Sequence, residues 1–325
     1  MSHSKYSDSL YKFHSTGGNK LYDTVTHKDD DPPPPYNGVI DSKVDDLLER
    51  LGQEFSELYE NPVEILEMFD TVVLLDDSSS MKHIDGKDGQ SRWEKAQIAL
   101  AAIAEFASRY DDDGIDIHFM NTVLKDGIGM NLKSRREVLD LFSLADPHGG
   151  TYLGKRIDGL LVKYLKSLPP PEKPEKPETE KRKKSRWTWG KSTSRVGTST
   201  SGAPAIKRLN LIVITDGLSY DSLKDPIVKA AKALDASMKP LDQVGIQFVQ
   251  IGNDKNAAQA LQELDDDLRK EEGLRDIVDT TPYDANKDGG GDELNAEQLI
   301  KMLLGGVNRG CDEKGAAHFG IGAES

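Results

Sequence analysis

Oxygen-bearing side chains follow a short apolar segment in the first third of the chain. Residues 69–75 read Phe-Asp-Thr-Val-Val-Leu-Leu, and Asp-Asp-Ser-Ser-Ser comes directly after them. Asp76, Ser78 and Ser80 are spaced two residues apart, so an extended turn directs all three side chains into one crevice. Carboxylate and hydroxyl oxygens are hard donors of the kind that Mg²⁺ binds. The segment therefore predicts part of a divalent-cation site.

Two distant segments carry side chains of the same chemistry. Thr151 follows a pair of glycines and precedes a helical pattern. Asp216 directly follows a second, mostly apolar run, 209–215. In open parallel sheets, ligands bind outside the carboxyl ends of the strands, at the point where the strand order reverses. The chain therefore predicts one metal site, formed by Asp76, Ser78, Ser80, Thr151 and Asp216.

Apolar runs alternate with amphipathic helical patterns through most of the chain. These patterns predict strands at 69–75, 115–120, 209–215, 245–251 and 275–279, a weak strand at 127–132, and helices at 93–109, 134–143, 153–168, 223–238, 257–272 and 296–304. Strands that alternate with helices are typical of a parallel sheet covered on both faces. The predicted fold class is therefore α/β, with a three-layer, doubly wound, mostly parallel sheet of the Rossmann-like kind.

The remaining segments predict additions to one folded domain at 63–310. Residues 1–38 are rich in Pro and polar residues and predict a disordered tail. Apolar residues at helical spacing in 39–62 predict an amphipathic helix that docks on the domain. Repeated Glu-Lys-Pro units and a Ser/Thr/Gly run predict a disordered basic insert at 169–206. Residues 311–325 are interpreted as a C-terminal tail.

The composition excludes several classes of protein. The formal net charge of −14 argues against nucleic acid or an anionic membrane surface as the partner of the whole chain. The single cysteine, Cys311, cannot form an intrachain disulfide, which favours a reducing compartment. The first 30 residues lack an apolar signal-peptide core, and no apolar run is long enough to span a bilayer. These features predict a cytoplasmic protein without a membrane span, with the nucleus as the alternative.

The three site segments together resemble the metal-ion-dependent adhesion site of von Willebrand factor type A domains. That site consists of Asp-x-Ser-x-Ser, a distant Thr, and a distant Asp followed by Gly, and all three parts occur here in the family's order. The resemblance covers residues 65–310 without the insert. It implies a doubly wound sheet with one antiparallel edge strand, placed at 127–132. It also implies a Mg²⁺ or Mn²⁺ ion held, in part through water, by Asp76, Ser78, Ser80, Thr151 and Asp216.

Some features refine the resemblance. Asp77 departs from the family pattern, because many members have glycine or another small residue at that position. The Asp-Asp-Ser-x-Ser-Met variant, the Pro-rich tail and the single thiol are similar to those of intracellular von Willebrand A proteins of filamentous fungi. The motif itself is complete, so the resemblance implies that the chain binds metal.

The chemistry of the predicted site favours binding over catalysis. Two carboxylates and three hydroxyls, some acting through water, can leave one coordination position of the cation open. A Glu or Asp of a protein partner can fill that position. No nucleophile or general base is required, so the prediction is a protein that is not an enzyme. Two alternatives stay open: an adaptor that acts through its tail and insert, and, ranked below it, a metal-dependent hydrolase.

Two other motifs lie outside the predicted sheet. The sequence Pro33-Pro34-Pro35-Tyr36 is a Pro-Pro-x-Tyr motif, which can dock on a WW domain from a polyproline II tail. Pro33, Pro34 and Tyr36 are therefore predicted to bind a partner. Segment 181–191 mixes basic residues with two tryptophans. For this segment, a solvated loop without a binding role is favoured over a nuclear-import signal or a contact with lipid or nucleic acid.

Competing interpretations of the acidic residues fit less well. A receiver domain needs a second Asp and a Lys close in sequence to Asp76, and a haloacid dehalogenase phosphatase needs Asp where Ser78 stands. A plain turn with a helix cap would leave the Thr151 and Asp216 segments as coincidences. Segment 284–295 opens like a calcium loop but ends on Asn, where that loop needs Glu, so an acidic turn is favoured.

Overall fold

In the part of the chain that the structure describes, five segments rich in β-branched and apolar residues form one sheet, and seven segments form α-helices. The computed structural model describes residues 38–58, 66–85, 89–170, 206–271, 273–281 and 296–304. The strands are β1 (Phe69–Leu75), β2 (Ile115–Phe119), β3 (Arg208–Thr215), β4 (Val244–Gln250) and β5 (Val278–Thr281). The helices are α1 (Gly38–Leu58), α2 (Arg92–Ala107), α3 (Arg135–Phe142), α4 (Leu153–Ser167), α5 (Lys224–Ala236), α6 (Lys255–Arg269) and α7 (Ala296–Leu304).

The five described strands are all parallel and lie in the order β2-β1-β3-β4-β5. The chain first moves outward from β1 to β2 and then crosses back to β3, so the strand order reverses between β1 and β3. Strands β3 and β4 are buried along almost their whole length, because helices cover both faces of the sheet. The predicted three-layer α/β fold is confirmed. In such a sheet, the ligand crevice lies at the carboxyl ends of the strands that flank the reversal, here β1 and β3.

Each face of the sheet has its own apolar cluster. Helices α1, α2, α3 and α7 contribute to the cluster on one face, and helices α4, α5 and α6 contribute to the cluster on the other. Helix α1 takes part through Val44 and Leu51, whose side chains are fully buried. The amphipathic helix predicted at 39–62 corresponds to α1 as far as Leu58, and the residues that follow lie outside the described part.

The antiparallel edge strand predicted at 127–132 is not shown as a strand. Instead, Ile115 and Leu132 form one isolated antiparallel bridge at the outer edge of β2, with N–H to carbonyl distances of 2.9 and 2.8 Å. Gly129 and Asn131 adopt positive φ angles of 85° and 54°. A backbone in the left-handed region leaves the extended conformation, so the segment does not form a regular ladder, although the Gly129 carbonyl oxygen still accepts the Ile117 N–H at 2.6 Å.

Serine caps determine where α2 and α3 begin. The Ser91 side chain accepts the Glu94 N–H while the Glu94 carboxylate accepts the Ser91 N–H, and Ser134 and Glu137 repeat the arrangement. Such reciprocal bonds satisfy N–H groups that the first turn of a helix leaves without partners. Helix α2 therefore begins at Arg92, whose side chain enters the site described below.

Several predicted segments lie outside the described residues. They are the tail at 1–37, most of the basic insert (171–205), the acidic segment (282–295) and the end of the chain (305–325). The sheet and the helices around it belong to one compact unit, Val39–Ser325. Among the described helices, none is both long enough and apolar enough to cross a membrane.

Hydrogen bonds and an ion pair hold both ends of the insert on the domain. Lys239 Nζ donates to the Pro169 carbonyl oxygen at 2.7 Å, on the side where the chain leaves α4. Where the chain returns, Lys207 Nζ lies 2.6 Å from Asp111 Oδ1. The Tyr164 hydroxyl, near the end of α4, donates to the Lys207 carbonyl oxygen at 2.9 Å. A short linker can therefore replace the insert.

Deleting residues 171–204 and joining the ends with a short Gly-Ser linker is expected to leave the melting temperature unchanged or to raise it by no more than about 5 °C. The entropy of closing a loop changes by only about 0.6 kcal/mol for each doubling of its length, and the anchoring contacts stay in place. Differential scanning calorimetry measures the effect. A loss of more than about 5 °C would show instead that the insert packs on the domain.

Candidate functional site

Asp76 and Asp216 directly follow the neighbouring strands β1 and β3, at the carboxyl edge of the sheet. The Asp76 N–H donates to the Ile214 carbonyl oxygen at 2.8 Å, which extends the pairing of the two strands. Thr215 Oγ1 donates to Asp76 Oδ2 at 2.7 Å. Residues 139 positions apart are thus joined, because parallel strands end at the same edge.

The turn after β1 connects the two serines to both carboxylates. Asp76 Oδ1 accepts the Ser78 N–H at 2.8 Å, which fixes the start of the turn. A short 3-10 helix, Ser79–Lys82, follows. Ser78 Oγ and Ser80 Oγ are 3.0 Å apart, and Ser80 Oγ donates to Asp216 Oδ1 at 2.9 Å. The turn therefore closes a cluster of oxygen atoms across the ends of β1 and β3.

Four of the five predicted site residues are joined by hydrogen bonds, and the fifth, Thr151, lies beside them. Within the described residues, the bonded set is Asp76, Ser78, Ser80 and Asp216. The segment of Thr151 is tied to the turn because the Gly149 carbonyl oxygen accepts the Ser79 N–H at 3.2 Å. The Thr151 carbonyl oxygen accepts the Tyr220 N–H at 2.8 Å, so Thr151 sits between the loops that follow β1 and β3. Its side chain is buried.

The separations between the oxygen atoms match the ligands of a small octahedral cation. Mg²⁺ binds oxygens at about 2.0–2.1 Å, so two ligands at right angles are about 2.9 Å apart. In the cluster, Ser80 Oγ lies 3.0 Å from Ser78 Oγ and 2.9 Å from Asp216 Oδ1. Ordinary hydrogen bonds have the same length, so a cation can replace the bonds that hold the cluster. The donor set therefore fits the predicted ion.

Burial makes the two carboxylates dependent on a compensating charge. Asp76 is 0% exposed and Asp216 is 1% exposed. Burial raises the pKa of Asp76 to about 6, although hydrogen bonds from Thr215 and Ser78 act in the opposite direction. Buried anions are costly unless they are paired or bound to a metal. A divalent cation would supply the positive charge that Asp76 lacks.

Arg92 belongs to the site and was not predicted. Its Nη1 donates to Asp216 Oδ2 at 2.7 Å, and its Nε and Nη2 donate to the Asp85 carboxylate. The Arg92 side chain is 10% exposed. The Ser91 cap is a signal for the start of α2, but no spacing in the sequence connects Arg92 with Asp216, which is 124 residues away. The site therefore contains a buried guanidinium group, that of Arg92, which already pairs with the Asp216 carboxylate.

Asp77, the departure from the family pattern, has a structural partner of its own. Its side chain is fully buried, and its two carboxylate oxygens accept the Asn121 and Thr122 N–H groups at 2.5 and 2.8 Å. Its carbonyl oxygen accepts the His148 N–H at 2.6 Å. Asp77 thus ties the end of β1 to the loop after β2 and to the segment that leads to Thr151.

No side chain of a described histidine forms a hydrogen bond with the oxygen cluster. His118 lies on β2, where burial, followed by the charges of Lys163 and Arg156, lowers its pKa to about 4. His83 is exposed, and its backbone N–H donates to the Ser80 carbonyl oxygen at 2.9 Å. Among the described residues, no group of three or more His, Cys, Asp or Glu side chains is placed to hold a metal ion. The candidate site, with two carboxylates, depends on its hydroxyl oxygens.

Exposed aromatic and apolar side chains lie beside the cluster. Tyr152 is 53% exposed, Leu218 is 48% exposed and Tyr220 is 72% exposed. The rings of Tyr152 and Tyr220 meet edge to face, with their centroids 5.4 Å apart. Aromatic residues with an apolar body and a polar tip are enriched at protein interfaces. These three residues, called the rim below, form an exposed surface next to the site.

The fold and the site define a Rossmann-like α/β protein with clustered oxygen donors where its strand order reverses. The sequence matches no protein-family model and no curated protein. The resemblance to von Willebrand factor type A domains therefore rests on the site residues and stays a prediction. The predicted partner-binding residues Pro33, Pro34 and Tyr36 lie outside the described residues.

Proposed function

We propose that this chain binds Mg²⁺ or Mn²⁺ at the oxygen cluster and, through the ion, an acidic side chain of a protein partner, without catalysing a reaction. One observation carries the proposal: Ser80 Oγ lies 3.0 Å from Ser78 Oγ and 2.9 Å from Asp216 Oδ1. This spacing fits ligands at right angles on a small cation. The position of the cluster supports the proposal, because doubly wound sheets bind ligands at this edge.

Each site residue has a role that follows from its atoms. Asp76 and Asp216 supply negative charge, Ser78 and Ser80 supply neutral oxygens, and Thr151 supplies a hydroxyl beside the turn. Water completes the coordination, because Mg²⁺ gives up its hydration reluctantly. When bound, the ion supplies the local positive charge that attracts a carboxylate. A Glu or Asp of the partner would be the carboxylate that this charge attracts.

The rim supplies contact area around this carboxylate. Tyr152 and Tyr220 present a paired aromatic surface, and Leu218 adds an apolar one. A single carboxylate–metal contact with exposed surroundings gives weak binding, because association itself costs several kcal/mol. A partner whose acidic residue is flanked by apolar or aromatic side chains would bury this rim. The ion then makes binding metal-dependent, and the rim makes it tight.

Calorimetric titration of the metal-free protein with MgCl₂ and with MnCl₂ tests the metal step. Water-proton relaxation tests the open position, because a bound Mn²⁺ that keeps water enhances the relaxation. Adding sodium acetate as a carboxylate probe is expected to displace this water and lower the enhancement. Acetamide, which has the same shape and no charge, is expected to leave the enhancement unchanged. No heat of binding for either ion at millimolar concentration would overturn the proposal.

Tyr220→Ala is expected to weaken partner binding about tenfold without changing the affinity for Mg²⁺. The Tyr220 ring is 72% exposed and packs on Tyr152, so its loss removes contact area and leaves the oxygen cluster intact. The measurement is the Kd for a protein that the wild type captures in Mg²⁺ and releases in EDTA. Leu241→Ala, exposed ahead of β4 at the opposite edge of the sheet, is the control. Equal binding by the Tyr220 variant and the wild type would exclude the rim.

The Pro-Pro-x-Tyr sequence supports an adaptor as a second candidate function. A peptide of residues 28–40 is expected to bind WW domains with a Kd of about 1–100 μM. Tyr36→Ala should remove most of this affinity, whereas Tyr6→Ala in the full chain should not. EDTA should have no effect, because the motif contains no predicted metal ligand. A peptide that binds none of the WW domains tested at about 1 mM would refute this function.

A further inference from the structure

A neighbouring side chain already engages one oxygen of each site carboxylate. Arg92 Nη1 donates to Asp216 Oδ2 at 2.7 Å, and Thr215 Oγ1 donates to Asp76 Oδ2 at 2.7 Å. The other oxygen of each carboxylate, Oδ1, is the one that accepts a hydrogen bond from the serine turn. Asp76 and Asp216 therefore each have a single oxygen, Oδ1, directed toward the serines of the proposed metal site.

The arginine that holds Asp216 is itself fixed. Its Nε and Nη2 pair with the Asp85 carboxylate, and the two side chains of this pair are 10% and 12% exposed. Gly252, which follows β4, leaves room for them, since a Cβ atom there would collide with both Arg92 and Asp85. Its φ of 85° is a second reason for glycine at this position. A two-point bond between guanidinium and carboxylate holds its geometry more firmly than a single contact.

We propose that Arg92 and Thr215 set the ion preference of the site, an inference that rests on the proposed metal binding. Because they occupy the Oδ2 atoms, they restrict Asp76 and Asp216 to one coordinating oxygen each. Ca²⁺ takes about 6–8 oxygens and commonly a bidentate carboxylate, whereas Mg²⁺ takes six ligands in a regular octahedron. A site with two monodentate carboxylates favours Mg²⁺ over Ca²⁺.

Two variants separate an effect on the choice between Mg²⁺ and Ca²⁺ from a general effect of charge on the affinity for both ions. Arg92→Met removes a positive charge, which raises the affinity for both ions alike, and it also frees Asp216 Oδ2, which helps Ca²⁺ alone. Thr215→Val removes only the hydroxyl, at nearly constant shape, and frees Asp76 Oδ2. The preference for Mg²⁺ over Ca²⁺ is expressed as the Kd for Ca²⁺ divided by the Kd for Mg²⁺. In each variant this ratio is expected to fall about tenfold.

The test measures the Kd of Mg²⁺ and of Ca²⁺ by calorimetry on the full chain after removal of metal with EDTA. Arg135→Met is the control for Arg92, because Arg135 also pairs with two acidic residues, Glu105 and Asp45, away from the cluster. Thr71→Val is the control for Thr215, since Thr71 is buried in the neighbouring strand β1. Both controls are expected to keep the wild-type ratio.

The outcomes are distinct. A fall of the ratio in the Arg92 and Thr215 variants but not in the controls supports the inference. An equal change for both ions in Arg92→Met, or an unchanged ratio in Thr215→Val, overturns it. Circular dichroism melting shows whether each variant folds, and if Arg92→Met does not, Thr215→Val decides alone. A wild type that binds neither Mg²⁺ nor Mn²⁺ would overturn the proposed function itself.

Discussion

Asp76→Asn is expected to weaken Mg²⁺ and Mn²⁺ binding at least about 100-fold, or about 2.8 kcal/mol, while the metal-free protein keeps its stability. The amide can still accept the Ser78 N–H that Asp76 Oδ1 accepts at 2.8 Å. It carries no charge, so the ion loses one of two carboxylate ligands. Stability in EDTA does not fall, because the folded protein no longer has to bury a carboxylate whose pKa burial raises to about 6.

Asp116→Asn is a closely matched control for this effect. Asp116 lies on β2, and its pKa is likewise raised to about 6 by burial. It accepts the Asn131 N–H and does not belong to the oxygen cluster. Calorimetric titration of both variants gives their affinity for the ions, and thermal melting in EDTA gives the stability of the metal-free protein. Wild-type affinity in Asp76→Asn would place the metal site elsewhere, and equal losses in both variants would point to a general effect of buried charge.

The position of the site could be predicted because it depends on strands that the sequence shows clearly. Segments 69–75 and 209–215 are short and mostly apolar, which is typical of strands buried on both faces of a parallel sheet. Side chains that directly follow such strands must lie at one edge of the sheet. This is why the sequence alone predicts that Asp76 and Asp216 lie together, and Ser78 and Ser80 with them.

The partners of these residues could not be predicted, because they depend on contacts between distant parts of the chain. Arg92 reaches Asp216 across 124 residues, and Asp77 reaches Asn121 across 44. An arginine at the start of a helix and a second aspartate after a strand are ordinary residues in a sequence. Only the packing of α2 and the β2 loop against the strand ends gives them their roles.

The segment predicted as the antiparallel strand shows a different limit of prediction from the sequence. Segment 127–132 is predicted as a weak strand and, by the resemblance, as the antiparallel edge strand, but Gly129 and Asn131 take positive φ angles, which the sequence pattern does not show. The last strand also begins at Val278 and not at 275, because its start is set by pairing with β4. Hydrophobic pattern predicts which segments are buried, and backbone conformation then decides how far each element extends.

Asp77→Ala is expected to lower the free energy of unfolding by at least about 3 kcal/mol, because a hydrogen bond to a charged acceptor contributes about 1.5–3 kcal/mol and two are lost. The carboxylate accepts the Asn121 N–H at 2.5 Å and the Thr122 N–H at 2.8 Å and is 0% exposed, so no water replaces it without rearrangement. Urea unfolding followed by circular dichroism measures the change. Asp126→Ala, exposed in the loop after β2, is the control and should stay within about 0.5 kcal/mol of the wild type.

The two neighbouring aspartates should therefore separate binding from stability. The Asp77 carboxylate contacts the β2 loop and not the oxygen cluster, so the folded Asp77 variant is expected to bind Mg²⁺ nearly as well as the wild type. Asp76→Asn should show the opposite behaviour, with binding lost and stability kept. A loss of Mg²⁺ binding in Asp77→Ala as large as in Asp76→Asn would mean that the β2 loop controls the geometry of the site. The role of Asp77 would then be to position the metal ligands, and its contribution to stability would be secondary.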